Sequence, residues 1–334
     1  MTVTTIGDLA QTFKQRTVGN RLHRDLGTLN FELTTGLKRD VAKAVGGNTG
    51  PVASIERALT HLEAQSTAVK EASIFAGATG IALSAMSTRI EGIDLGAMTI
   101  THETSALQID GLAKSARIAF VGMISDLGTQ TAGRPLFGGA SGNAQVTRGA
   151  EDIMADLVSS LAGATSAKDI KDGVTAYFAD GGPFQTKDYV GVPVDLAPFD
   201  LGDGSRVEVG VRADDPAIRE ALAEVARIAV LGEGLPVSHE ARADVLSGGV
   251  TGLLQGQNKL IGLEAGVGLA TASIDDAKVR IGTERNGFEL ARLDLLAADP
   301  YDTAIRLKQT ENQISMIYTL TARLSELSLV SYLR

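Results

Sequence analysis

The amino-acid sequence predicts a mainly α-helical protein, an elongated helical bundle whose N- and C-terminal helices pair as a coiled coil, with a small mixed α/β insert in the middle. Apolar residues recur at steps of three and four over most of the chain, as they do along one face of a helix. Only 4% of the residues are aromatic while Gly counts 38, which favours helices that meet through small and aliphatic side chains. Clear β character is confined to one patch between residues 188 and 211.

The amino-acid composition and net charge exclude several classes of protein. A chain of 334 residues with 44% apolar content is large enough for two or three folded domains. The net charge of −9, with no basic run longer than Lys38-Arg39, argues against a nucleic-acid partner. The absence of Cys excludes disulfides and thiol catalysis. No apolar stretch reaches the roughly 20 residues that span a bilayer, so we expect no membrane insertion, and no cleaved secretory signal is visible.

Both ends of the chain carry an amphipathic helical pattern. Helices are predicted over residues 6–41 and 301–333. Neither apolar stripe has a partner adjacent in sequence, so the two can pack on each other or on copies of themselves in neighbouring subunits. The same spacing suits core helices of one compact bundle, and the pattern alone leaves both arrangements open. The predicted assembly interface consists of Leu22, Leu26, Leu29, Leu33, Ile314, Ile317, Leu320, Leu324 and Leu327.

Two more helices follow the first one. Turn-forming residues at 46–51 precede a helical pattern over residues 52–91, and the next helix is predicted over 102–131. Residues 133–142 are too rich in Gly and Pro to continue it. The apolar face of the 102–131 helix is assigned to Leu107, Leu112, Ile118, Val121, Ile124 and Leu127.

The middle of the chain mixes short helices with short strands, and long helices then resume. Helices are predicted over residues 150–161, 166–178, 216–231 and 238–296. Strands are predicted between residues 188 and 211 around a turn at 202–204. Val279 is among the buried candidates of the 238–296 helix.

This order predicts three domains, because helix-rich halves from both chain ends flank the mixed insert. They are a terminal helical inner domain of residues 1–45 with 297–334, a helical rod domain of 46–150 with 215–296, and a small mixed α/β outer domain of 151–214.

Residues with catalytic or metal-binding chemistry do not form a recognisable site. The histidines His23, His61, His102 and His239 lack a second ligand at a recurring helical spacing. Ser238-His239-Glu240 contains triad-type residues but lacks the strand–turn–helix setting of an activated serine. We therefore predict no catalytic residue and no metal site, and we do not expect an enzyme.

Two glycine-containing segments resemble binding loops only superficially. The segment 262–268 lacks the Gly-Lys-Ser/Thr ending and the preceding strand of a phosphate-binding loop, so we assign it to a helix. The segment 200–204 suggests a calcium loop, but Val211 occupies the position of the bidentate Glu. It is predicted to be a turn, and no cofactor is predicted.

Three stretches resemble the flagellin superfamily of bacterial flagellar proteins. Glu32-Leu33-Thr34-Thr35-Gly36-Leu37-Lys38-Arg39 is similar to the segment that ends the N-terminal helix of the family. Gly133-Arg134-Pro135-Leu136-Phe137-Gly138-Gly139 resembles its turn after the third N-terminal helix, with Pro where the family usually has Tyr. The tail Leu327-Ser328-Leu329-Val330-Ser331-Tyr332-Leu333 is similar to the junction proteins that link hook to filament, whereas Arg334 resembles the end of flagellin.

The resemblance implies a structural adaptor that joins the flagellar hook region to the filament. Its implied partners are copies of itself in a ring, the other hook-associated protein and flagellin. It also implies secretion through the flagellar type III apparatus, after a cytoplasmic export chaperone has bound the C-terminal helix. Two alternatives stay open, namely flagellin, the filament subunit itself, and a helical enzyme or ligand-binding protein with a site under the mixed insert.

Overall fold

A computed structural model describes residues 6–98, 100–101, 103–142 and 145–332, and it confirms a mainly α fold with a small mixed insert. His102, Leu333 and Arg334 lie outside the described residues, as do the side chains of Leu324 and Leu327. The α-helices, in chain order, are α1 (Ile6–Thr35), α2 (Val41–Ala44), α3 (Gly50–Ala97), α4 (Ala106–Leu127), α5 (Ala150–Ser160), α6 (Ala167–Phe178), α7 (Pro216–Ala229), α8 (His239–Leu296) and α9 (Pro300–Tyr332). A π-helix (Phe184–Asp188) follows α6, and a 3-10 helix (Val230–Gly232) follows α7. The short strands are β1 (Gln130–Thr131), β2 (Arg134–Pro135), β3 (Phe199–Asp200) and β4 (Arg206–Val207), paired antiparallel as β1–β2 and β3–β4.

The chain divides into two compact units. Unit 1 comprises Met1–Leu62 and Gly282–Arg334, and unit 2 comprises Glu63–Ile281. Both chain ends therefore belong to unit 1, and helices α3 and α8 each continue from one unit into the other. The division into three domains stays a prediction.

In unit 1, α1 packs antiparallel against α9. His23 in α1 contacts Tyr318 in α9, with 3.2 Å between the imidazole Nε2 and the phenol oxygen. After the end of α1, Leu37 forms an antiparallel bridge with Ala297, just before the start of α9. Because higher-numbered residues of one segment meet lower-numbered residues of the other, the two ends of the chain run side by side in opposite directions.

The first helix ends at Thr35, so the predicted end at residue 41 is wrong. Gly36 adopts a left-handed backbone conformation with φ of 71°, and its N–H donates to the Glu32 carbonyl at 2.9 Å. This is the way in which a glycine terminates a helix. The Gly36 carbonyl then accepts a hydrogen bond from the Ala298 N–H at 2.9 Å, which ties the end of α1 to the α8–α9 connection.

In unit 2, α4 packs against α7, but the predicted apolar face of α4 is partly wrong. Leu107 is 81% exposed and Ile118 is also exposed. The prediction weighted large side chains, whereas alanines supply much of the helix contact. The buried residues of α4 are Ile109, Ala113, Ala116, Ala119, Phe120, Met123, Ile124 and Leu127.

Helix α8 approaches α7 closely because it presents a glycine there. A Cβ built on Gly256 would lie 3.1 Å from the Cα of Ala221, which is tighter than ordinary van der Waals contact. Further along α8, Val279 was predicted to be buried but is 70% exposed. Ile274 and Ile281, predicted to be buried on the same helix, are buried.

The β3–β4 hairpin of the insert is fastened to the long helices of unit 2. The ring of Phe199 lies 5.8 Å from that of Phe75 in α3, centroid to centroid. Arg280 in α8 donates through Nη2 to the Leu201 carbonyl at 2.8 Å. The Gly202 N–H donates to Asp200 Oδ1 at 2.8 Å, so the predicted turn is confirmed.

Replacing Gly36 by Ala should destabilise unit 1 by about 1 kcal/mol, because a Cβ disfavours the left-handed backbone even where nothing crowds it. The matched control is Gly27→Ala inside α1, where nothing crowds an added Cβ either. That substitution should stabilise the helix by up to about 1 kcal/mol. Chemical denaturation of the full chain, followed by circular dichroism, measures both changes. A stabilising effect of Gly36→Ala would contradict the assigned end of α1.

Candidate assembly surface

The structure places the described part of the predicted interface on the paired helices α1 and α9, where it is only partly covered. Leu22 is buried, whereas Leu26, Leu29, Ile314 and Ile317 are half-buried. Leu33 is exposed, and Leu320 is 53% exposed. These side chains therefore retain apolar surface that the α1–α9 pairing leaves in contact with solvent.

Sequence reasoning missed further apolar side chains that are exposed on the same two helices. Phe13 is 72% exposed and Tyr301 is 77% exposed. They lie off the Leu and Ile stripes, so a search for one helical face does not find them. Nothing in the periodicity of the sequence marks them. We define the terminal apolar surface as Phe13, Val18, Phe31, Leu33, Tyr301, Ile305, Met316, Tyr318 and Leu320, all exposed.

The terminal apolar surface lies in a unit that is close to electrically neutral. Unit 1 contains 14 Lys and Arg against 12 Asp and Glu, a net charge of +2. Unit 2 contains 17 Lys and Arg against 28 Asp and Glu, a net charge of −11. Unit 1 therefore carries little net charge to repel another protein surface.

The described histidines and the serine considered for catalysis or metal binding do not come together in a site. His23 contacts Tyr318 in the α1–α9 pair, while His61 and His239 are exposed. Ser238 Oγ accepts a hydrogen bond from the Ala241 N–H at 3.2 Å, as a residue before a helix does. Among the residues that the structure describes, no group of three or more His, Asp and Glu is placed to hold a metal ion.

Unit 2 contains a buried polar network centred on Asp188, whose side chain is fully buried. Tyr177 donates through its hydroxyl to Asp188 Oδ2 at 2.6 Å. Arg148 Nη1 donates to Asp188 Oδ1 at 2.9 Å and to Asp156 Oδ2 at 2.5 Å. Burial, and then the Asp188 carboxylate, raise the pKa of the Tyr177 phenol well above its ordinary value. The Lys187 ammonium, followed by Arg148, lowers the pKa of Asp156. The network joins α5, α6 and the π-helix Phe184–Asp188.

A groove of about 620 Å³ lies between α6, α7 and α8. Its charged lining groups serve the fold. Arg219 donates through Nε to the Asp214 carbonyl at 2.9 Å and through Nη1 to the Phe178 carbonyl at 2.8 Å. Glu224 pairs with Arg227, and burial raises the pKa of Glu224. This groove therefore does not identify a ligand.

Comparisons with known proteins do not assign the chain to a family. A scan against protein-family models found no match, and a search of curated proteins found none either. In the part of the chain that the structure describes, no helix is both long enough and apolar enough to cross a membrane.

Tyr177→Phe should destabilise the protein by about 2 kcal/mol, because it removes a hydrogen bond to a buried carboxylate. Tyr189→Phe is the matched control, since the Tyr189 hydroxyl donates to the neutral carbonyl of Val192 at 3.1 Å. Its loss should cost about 1 kcal/mol. Urea denaturation of both variants measures the difference. Equal costs for the two variants would contradict a special role of the Asp188 network.

Proposed function

We propose that this chain is a structural subunit of the bacterial flagellum that joins the hook region to the filament, in the role of the third hook-associated protein. The observation that carries the proposal is the terminal apolar surface, which the pairing of α1 with α9 leaves in solvent. Apolar surface exposed beyond scattered single side chains is typical of a protein that binds another protein. The resemblance of three sequence stretches to the flagellin superfamily supplies the flagellar assignment.

Assembly provides the burial that unit 1 lacks. Full burial of one Leu, Phe or Met side chain contributes about 1.5–3 kcal/mol. Association of two copies costs about 4–15 kcal/mol in lost translational and rotational freedom. Several side chains of the terminal apolar surface must therefore become buried together for a contact to be stable. Long helices that depend on such contacts gain stability as the polymer forms.

A second copy of the chain is the partner that unit 1 favours. Its net charge of +2 imposes little repulsion between unit 1 of one copy and unit 1 of the next. When one surface contacts a different surface of the next copy, the contact repeats and generates a ring or a filament. A ring at the junction would present subunit edges to the other hook-associated protein on one side and to flagellin on the other. The proposal also includes secretion of the chain by the flagellar type III apparatus, after a cytoplasmic chaperone has bound its C-terminal helix.

Flagellin is the second candidate, because the same surface would serve a filament subunit. Seeded growth separates the two roles. A junction subunit added to purified hooks should stop at a short layer, whereas a filament subunit should extend into long filaments visible by electron microscopy. A strain that lacks this chain should retain intact hooks and release filament protein into the medium.

Leu320→Asp tests the assembly surface directly. Leu320 is 53% exposed, so the monomer should keep its fold, while a charge at an apolar contact should reduce association at least tenfold, since burying an unpaired charge is costly. Gln309→Asp is the matched control, because Gln309 is exposed on the same helix and the substitution adds the same charge. Analytical ultracentrifugation measures association, and circular dichroism verifies the fold. If Leu320→Asp associates as the unaltered chain does while Gln309→Asp is also unchanged, the terminal apolar surface is not the assembly contact.

A further inference from the structure

The negative charge of the chain is segregated into the unit that does not carry the terminal apolar surface. The whole chain has a net charge of −9, which is the sum of +2 on unit 1 and −11 on unit 2. The unit that carries the terminal apolar surface is therefore nearly neutral, and the other unit is strongly acidic. We propose that the acidic charge of unit 2 acts as an electrostatic brake on self-association, so that dissolved salt controls the concentration at which the chain assembles. This inference rests on the proposed function.

The charge of unit 2 acts outward because its internal ion pairs leave a large excess of carboxylates. Several basic residues of unit 2 already pair with carboxylates of the same unit, as Arg89 does with Asp126 at 2.8 Å. Arg212 likewise pairs with Asp214 at 2.8 Å. The excess of acidic over basic residues remains after such pairing, and it includes the exposed residues Glu71 and Glu208.

Unit 2 is covalently joined to unit 1 and therefore enters any assembly that unit 1 forms. Helices α3 and α8 run from one unit into the other, so each unit 1 that enters an assembly brings its own unit 2. Bringing many acidic units close together raises the electrostatic repulsion between them. The apolar contact of unit 1 must exceed that repulsion before an assembly is stable.

Salt weakens this repulsion far more than it changes apolar contact. The Debye length is about 30 Å at 0.01 M ionic strength and about 8 Å at 0.15 M, so neighbouring acidic units are screened from each other at the higher value. Salt should therefore promote assembly. If attraction between opposite charges held the copies together, salt would instead dissociate them.

The experiment measures the critical concentration for assembly of the full chain by sedimentation, at about 0.01 M and about 0.15 M NaCl. We expect the critical concentration to fall roughly tenfold as salt is raised. Tetramethylammonium chloride at the same ionic strength should have the same effect, because screening does not depend on the identity of the cation.

Two double variants locate the brake. Glu71→Lys with Glu208→Lys changes the charge of unit 2 from −11 to −7, whereas Asp294→Lys with Glu311→Lys changes that of unit 1 from +2 to +6. All four side chains are exposed, and both variants give the whole chain the same net charge. The unit 2 variant should assemble at lower concentration in 0.01 M salt, with a smaller salt dependence, and the unit 1 variant should gain nothing.

The outcomes separate this inference from the proposed function. A critical concentration that does not change with salt, that rises with salt, or that falls equally in both variants would overturn the brake while leaving self-assembly intact. A difference between NaCl and tetramethylammonium chloride would also overturn it, because it would indicate a specific ion site. Failure to assemble at any salt concentration, with hooks or without them, would overturn the proposed function and the brake together.

Discussion

The constraint on which the whole account depends is that two helices cannot cover apolar side chains that lie on several of their faces. Helices α1 and α9 cover part of each other, and Leu22 is buried between chain ends that run in opposite directions. The side chains of Phe13, Met316 and Tyr301 remain exposed on the same pair. A water-exposed apolar surface of this kind is unfavourable for a solitary chain and favourable for one that meets further copies. The proposed self-association of the chain follows from that imbalance.

Unit 2 has a buried core of its own. Its helices α4 and α7 meet through fully buried residues such as Phe120 and Leu222, and a glycine at 256 lets α8 approach α7. The Asp188 network satisfies a buried carboxylate with the Tyr177 hydroxyl and the Arg148 guanidinium. Because this unit has a core of its own, it needs no partner to bury that core, while side chains such as Ile81 and Leu269 stay exposed.

Much of the fold could be predicted from helical spacing and from turn-forming residues. Helix α8 was predicted over 238–296 and is found over His239–Leu296, because its apolar period is long and uninterrupted by Pro. The end of α1 was missed, since a glycine with a left-handed backbone stops a helix that the apolar pattern would continue. The face of α4 was misjudged because Ala113 and Ala116 supply the contact in place of larger side chains. Pattern alone could not separate a core seam from an assembly surface, because exposure depends on which faces the fold covers.

Amide hydrogen exchange, measured by mass spectrometry on the dilute monomer and on the assembled polymer, tests the central claim most directly. The account predicts that peptides from residues 6–35 and 300–332 exchange quickly in the monomer and become strongly protected in the polymer. Peptides from α4 and α7 should be protected in both states. Equal and strong protection of the terminal helices in the dilute monomer would show that they complete their burial within one chain, and it would contradict the account.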